Sequence, residues 1–236
     1  MRSFLRPIFA TLLFLSACLS DIAIASSPTT YLRYCASCHG ERGDGEGVSA
    51  RWFELPATHF TAGVYKCRST NAGMTPTDGD LRASLRRGLG GTSMPSFIAL
   101  GPLEVENVVR SLKAFSSKFA QPSTPLNVPP EPKDDGASVG RGRQLYGQLH
   151  CNNCHGADGR GGPAASTLKN DDGTPSRVTT ISGQAALKCG DSPARIYTTL
   201  LTGLDGTPMA SYADTLAPEQ AWDLTHFVVS LRSGAK

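Results

Sequence analysis

The sequence is short of aromatics, short of net charge and short of long apolar runs. Phe, Tyr and Trp make up 7% of its 236 residues and hydrophobic residues 39%. Such a chain builds a thin core from side chains alone, and a large bound group filling part of the interior would help it. Lys and Arg number 23 against 20 Asp and Glu, a net charge of +3, which is too mild to mark a nucleic-acid or membrane-surface binder. No nucleic-acid-binding signature, Ser-His-Asp order, phosphate loop or paired-carboxylate pattern is visible, and no strand-like alternation survives inspection. Beyond the N-terminus no stretch is apolar enough to cross a bilayer. Methionine is scarce too, with four in the chain.

What is present begins with an export signal. "MRSFLRP" supplies two arginines, and "IFATLLFLSA" is an apolar run of ten residues, too short to span a membrane. Two processing routes stay open. Ala23-Ile24-Ala25 is a small-x-small site that would release a soluble protein, so that residues 1–25 are the signal; alternatively "LSAC" at 15–18 resembles a bacterial lipobox and makes Cys18 a lipidated first residue. Either route puts the mature chain in the periplasm or on the outer face of the cytoplasmic membrane, held to the membrane only by a lipid at Cys18 or by a partner.

The seven cysteines stand at 18, 35, 38, 67, 151, 154 and 189. Four of them form "CASCH" (35–39) and "CNNCH" (151–155), and C-x-x-C-H reads as c-type haem attachment. Cys35 and Cys38, then Cys151 and Cys154, are spaced to meet two porphyrin vinyl groups as thioethers. His39 and His155 are the adjacent imidazoles that ligate iron. A redox dithiol does not need the His, and a zinc site wants a second ligand pair close by. Cys151 follows Cys35 by 116 residues and Met209 follows Met94 by 115, so the chain is a tandem repeat. The two scarce methionines lie in matching Gly-rich loops, "GLGGTSMPSF" (88–97) and "GLDGTPMASY" (203–212). Met94 and Met209 are therefore the candidate distal sulfur ligands of two haem irons, in loops where glycine lets backbone pass close to a flat ring.

The remaining elements are helical. Ser27 and Pro28 open a short helix into "CASCH"; Thr77 is the N-cap candidate of "TDGDLRASLRRGL"; "LEVENVVRSLKAF" puts Val105, Val108, Val109, Leu112 and Phe115 on one face. The second half repeats the series with "SVGRGRQLYGQLHC", "SPARIYTTLLTGL" and "APEQAWDLTHFVVSLRS". Between the halves, "QPSTPLNVPPEPKDDG" (121–136) carries five prolines and reads as a semi-rigid linker. The expected organisation is signal 1–25, a first domain 26–120, linker 121–136 and a second domain 137–236.

On "CASCHG" with "GTSMPSF" and "CNNCHG" with "GTPMASY", the chain resembles a dihaem cytochrome c built of two class I cytochrome c domains. The resemblance implies an all-α fold, with each domain wrapped around one of two covalent haem c groups. It also implies one-electron transfer between a redox donor and an acceptor. "HFTAGVYKCRST", "PTDGDL" and "GLGGTSMPSF" are similar to cytochrome subunits found beside bacterial respiratory complexes and periplasmic oxidoreductases, so the expected role is a non-catalytic relay subunit of a larger complex. One departure is that Met94-Pro95 has Pro208-Met209 as its counterpart, which bears on loop stiffness and on the second potential.

Cys67 and Cys189 follow Lys66 and Lys188 at comparable places of the repeat. Residues related by a pseudo-twofold can meet on its axis, and an oxidising compartment keeps a bond between them, so an inter-domain disulfide is the preferred reading. The alternatives are two separate buried thiols, or one cysteine replacing Met on an iron. The last would make the protein a haem enzyme such as a thiosulfate dehydrogenase. Arg68 is a candidate haem-propionate contact. His59 is a lesser candidate for a distal ligand, and Trp52 and Trp222 are read as ordinary packing.

Overall fold

The structure, a computed structural model, describes residues 29–133 and 135–234; the export signal, Cys18, Ser27 and Pro28 lie outside them. The chain is all-helical, and among the described residues the only strand-like pairings are isolated bridges, Thr70 with Pro125 and Lys169 with Pro175. In the first half, α1 (Thr29–Tyr34) runs into α2 (Ala36–His39), followed by α3 (Asp78–Arg87) and α4 (Pro102–Ala114). The second half repeats the order as α5 (Ser138–Gln148), α6 (Cys151–His155), α7 (Pro193–Thr202) and α8 (Pro218–Ser233).

Local chemistry sets the boundaries. Thr77 accepts from the Asp80 amide while the Asp80 carboxylate accepts from the Thr77 amide, a reciprocal cap on α3. At the matching place Ser192 caps α7, with Pro193 in the first turn. The Gly101 amide donates to Glu104 and the Ala217 amide to Gln220, both at 2.9 Å, at the starts of α4 and α8. The first core gathers Tyr31, Phe60, Leu81, Leu85, Val108 and Leu112; the second gathers Tyr146, Ile196, Leu200, Trp222, Leu224 and Phe227. Trp222 is buried as expected. Trp52 is not: it is 79% exposed, because it sits on a short 3-10 turn, Ala50–Trp52, outside either core.

The halves are tied together. Cys67 and Cys189 form a disulfide with Cα atoms 5.2 Å apart. Arg68 reaches Asp205 at 2.6 Å, Arg195 reaches Asp80 at 3.3 Å and Arg177 reaches Glu54 at 2.6 Å. The linker lies against both halves: the Leu126 amide donates to the Ser69 carbonyl at 2.7 Å, and Glu131 faces buried His226 at 3.3 Å.

Candidate functional site

The histidine of each C-x-x-C-H ends a short helix that the chain pins from behind. Tyr31 donates its hydroxyl to the Gly40 carbonyl at 2.7 Å, and Tyr146 does the same to Gly156 at 2.7 Å. Each tyrosine thereby fixes the turn that follows the imidazole. His39 Nδ1 lies 3.2 Å from the Thr58 carbonyl, which can only accept, so Nδ1 donates and Nε2 is left for a metal. Burial pulls the pKa of His39 down and the Thr58 carbonyl resists that; His155 is shifted down by burial as well, with Thr179 in the opposing role. Yet the His155 Nδ1 has no hydrogen bond of normal geometry. Burial thus favours the neutral form of both rings, the form a metal needs.

Cys35, Cys38, Cys151 and Cys154 are free thiols. Burial pushes Cys35 up to about 11, helped by Cys38, and burial does the same to Cys151. Free of any disulfide and lining a mostly apolar cavity, these sulfurs suit conversion to thioethers, which carry no charge to desolvate.

The two methionine loops are built alike. The Leu89 amide donates to the Met94 carbonyl at 3.2 Å and the Leu204 amide to the Met209 carbonyl at 2.9 Å. Thr92 Oγ1 donates to the Leu89 carbonyl and accepts from the Met94 amide; Thr207 Oγ1 does both for Leu204 and Met209. Gly88 (φ +74°) and Gly203 (φ +66°) end the preceding helices in a left-handed conformation. A Cβ there would stand 2.8 Å from the Met94 carbonyl oxygen and 2.6 Å from that of Met209. Glycine is required at both positions by angle and by space.

Cys35, Cys38, His39 and Met94 line the same cavity as Cys151, Cys154, His155 and Met209, a continuous void of about 780 Å³. The Tyr65 hydroxyl also lines it and is buried with no partner. Thiol pairs, imidazoles, thioethers and an unsatisfied hydroxyl on a mostly apolar wall are a donor set that fits haem.

The Cys67–Cys189 disulfide lies on the wall of this cavity, so neither sulfur is a free thiolate. Arg68 is employed differently from the expected propionate contact. Its side chain is fully buried against Asp205 and donates to the Tyr65, Asn71 and Thr202 carbonyls, joining the halves; Arg68 lies behind Tyr65 and Asp205, which line the cavity, and does not line it itself. His59 and His150 both line the cavity. Sequence reasoning missed the threonines behind each Met loop, although "GTSM" and "GTPM" carried the signal. It also missed that Lys66 and Lys188 face the cavity.

The cytochrome c family matches residues 139–232. A chain of the reducing HAO-like protein complex of Kuenenia stuttgartiensis is 35% identical and superposes with a TM-score of 0.83, over 88% of this chain and 96% of that one. The chain belongs to the cytochrome c family. A cytochrome of this family binds haem c covalently, and residues 139–232 hold that domain. No curated protein matches this chain.

Proposed function

We propose that this cytochrome is an exported dihaem electron carrier working as a relay subunit of a periplasmic or respiratory oxidoreductase complex. The observation that carries the reading is the shared cavity, with two complete Cys-Cys-His-Met sets on its wall. Cys35 and Cys38 would hold one haem c, with His39 and Met94 on its iron. Cys151 and Cys154 would hold the other, with His155 and Met209. Haem iron supplies reversible one-electron chemistry, and the protein supplies ligation, burial and docking. A full His/Met set leaves no open position for substrate. The carbonyl of Thr58 orients the His39 ring; Thr92 and Thr207 hold the Met loops in register; the disulfide and the three cross-domain ion pairs keep the two sites at fixed separation. The partnership with a larger complex rests on the likeness to a chain of the Kuenenia stuttgartiensis complex. Export rests on the N-terminal signal alone. The rival reading, a thiosulfate dehydrogenase with cysteine on an iron, needs a sulfur that the Cys67–Cys189 bond occupies.

The test is the intact mass of the mature protein together with its near-infrared magnetic circular dichroism. Two haem groups per chain and two His/Met signatures are expected. A single haem, a thiolate-ligated iron or a high-spin iron overturns the reading.

A further inference from the structure

Lys66 and Lys188 are the anomaly of the cavity. Each immediately precedes a cysteine of the disulfide, and each of their carbonyls lies near the sulfur of the other half, Cys67 at 3.5 Å from that of Lys188 and Cys189 at 3.9 Å from that of Lys66. Both line the void, and Lys188 is only 9% exposed. Neither makes an ion pair among the described residues. Of the charges that act on them, Arg177 pairs with Glu54, and Asp172 accepts from the Thr174 amide and hydroxyl. Asp172 does act on Lys66, yet burial still pulls that ammonium's pKa down. Lys188 is driven down to about 8, by burial first and then by Lys66 and Arg177. Two ammonium groups crowded on a mostly apolar wall are costly unless an anion meets them. The only anionic groups on a haem are its propionate carboxylates.

We propose that Lys66 and Lys188 form one cationic pole shared by both haems, on which the propionates of the two rings converge beside the disulfide. The inference rests on the two-haem reading above. Its consequence is that each lysine acts on two irons at once. A positive charge near an iron disfavours the ferric state, so the pole raises both reduction potentials. A pair of lysines that merely extend their stems along the wall would leave each potential to its own half.

The experiment uses the full mature protein loaded with haem. Spectroelectrochemical titration compares the unsubstituted protein with Lys188→Met, Lys66→Met and Lys188→Arg. Both midpoints are expected to fall in either Met variant, and Lys188→Arg is expected to restore both. Movement of one midpoint only, of the half that bears the substitution, or of neither, overturns the proposal. Haem content and the His/Met near-infrared bands check that each variant is folded. If Lys188→Met loses a haem, Lys66→Met, on the opposite half, carries the same reading. A single haem in the unsubstituted protein marks failure of the two-haem reading, whereas two haems with independent responses mark failure of the shared pole alone.

Discussion

The two halves carry the same Cys-Cys-His-Met residues on different supports. In the first, His39 stacks on Phe60 with ring centroids 4.4 Å apart, and its Nδ1 donates to Thr58. In the second, Ile181 stands where Phe60 does, since their amides make the same bond to Gly159 and Gly43, and the His155 contact with Thr179 falls short of normal hydrogen-bond geometry. The first methionine is followed by proline, the second preceded by it. The burial differs as well. Helix α8 buries every residue from Ala221 to Val228, whereas α4 buries four, spaced along one face. Among the described residues, every exposed large apolar side chain lies in the first half, Trp52 and Ile98 being the most exposed. A repeat can thus keep its chemistry while its packing drifts, because ligation needs four atoms in place and packing needs only filled volume.

That contrast can be broken most forcefully at the disulfide. A bond across 122 residues removes much chain entropy from the unfolded state; by that account Cys67→Ser with Cys189→Ser costs about 4–5 kcal/mol. Differential scanning calorimetry is expected to split one transition into two, the first half melting lower. Next in size, Leu224→Ala, at a site with no exposure, is expected to cost about 2–5 kcal/mol. Val108→Ala in the thinner first core removes fewer methyl groups and is expected to cost about 1–2 kcal/mol. Urea midpoints for the two variants check the order; equal losses would mean the halves are packed alike.

The third test concerns charge. Asp80 and Arg195 occupy the same place of the repeat, three residues after the caps Thr77 and Ser192, and they face one another across the interface. Burial pushes the Asp80 carboxyl up, but hydrogen bonds from Ser69 and Thr77 outweigh it and hold the group below its usual 3.8. A depressed folded pKa gives stability that is present above the unfolded value and lost as pH falls through the folded one. Asp80→Asn is therefore expected to destabilise at neutral pH by about 1–3 kcal/mol, with the gap to the unsubstituted protein closing below pH 3.8. A gap that does not change with pH would locate the effect in packing. The smallest change expected is in the Met loops. Pro208→Ser with Ala210→Pro gives the second loop the order of the first and is expected to move the second midpoint toward the first, by an amount on the order of 0.5 kcal/mol.

Much of this was legible in the sequence. Spacing and type marked both C-x-x-C-H sites, the Met loops and the helices, with Thr77 as cap, because each rests on local rules. The fate of Arg68 was not legible, since its partner Asp205 is distant in sequence and nothing local distinguishes a guanidinium bound to a carboxylate from one bound to a propionate. Trp52 was read as packed because tryptophan usually is, but only the path of its 3-10 turn decides that. The lysines beside the disulfide were visible as a repeated pair; their burial together required the halves to be docked.

The disulfide also imposes an order on maturation. In one chain, Cys67 and Cys189 are oxidised to each other while Cys35, Cys38, Cys151 and Cys154 are free; on the two-haem proposal those four must stay as thiols until they react with vinyl groups. Cys35 and Cys38, or Cys151 and Cys154, are adjacent enough to close on themselves far sooner than Cys67 can find Cys189 across the length of a whole half. A cell that makes this protein must therefore shield the near pairs from oxidation while leaving the distant pair open to it. The cross-link that joins the finished halves is, for the newborn chain, a problem of timing.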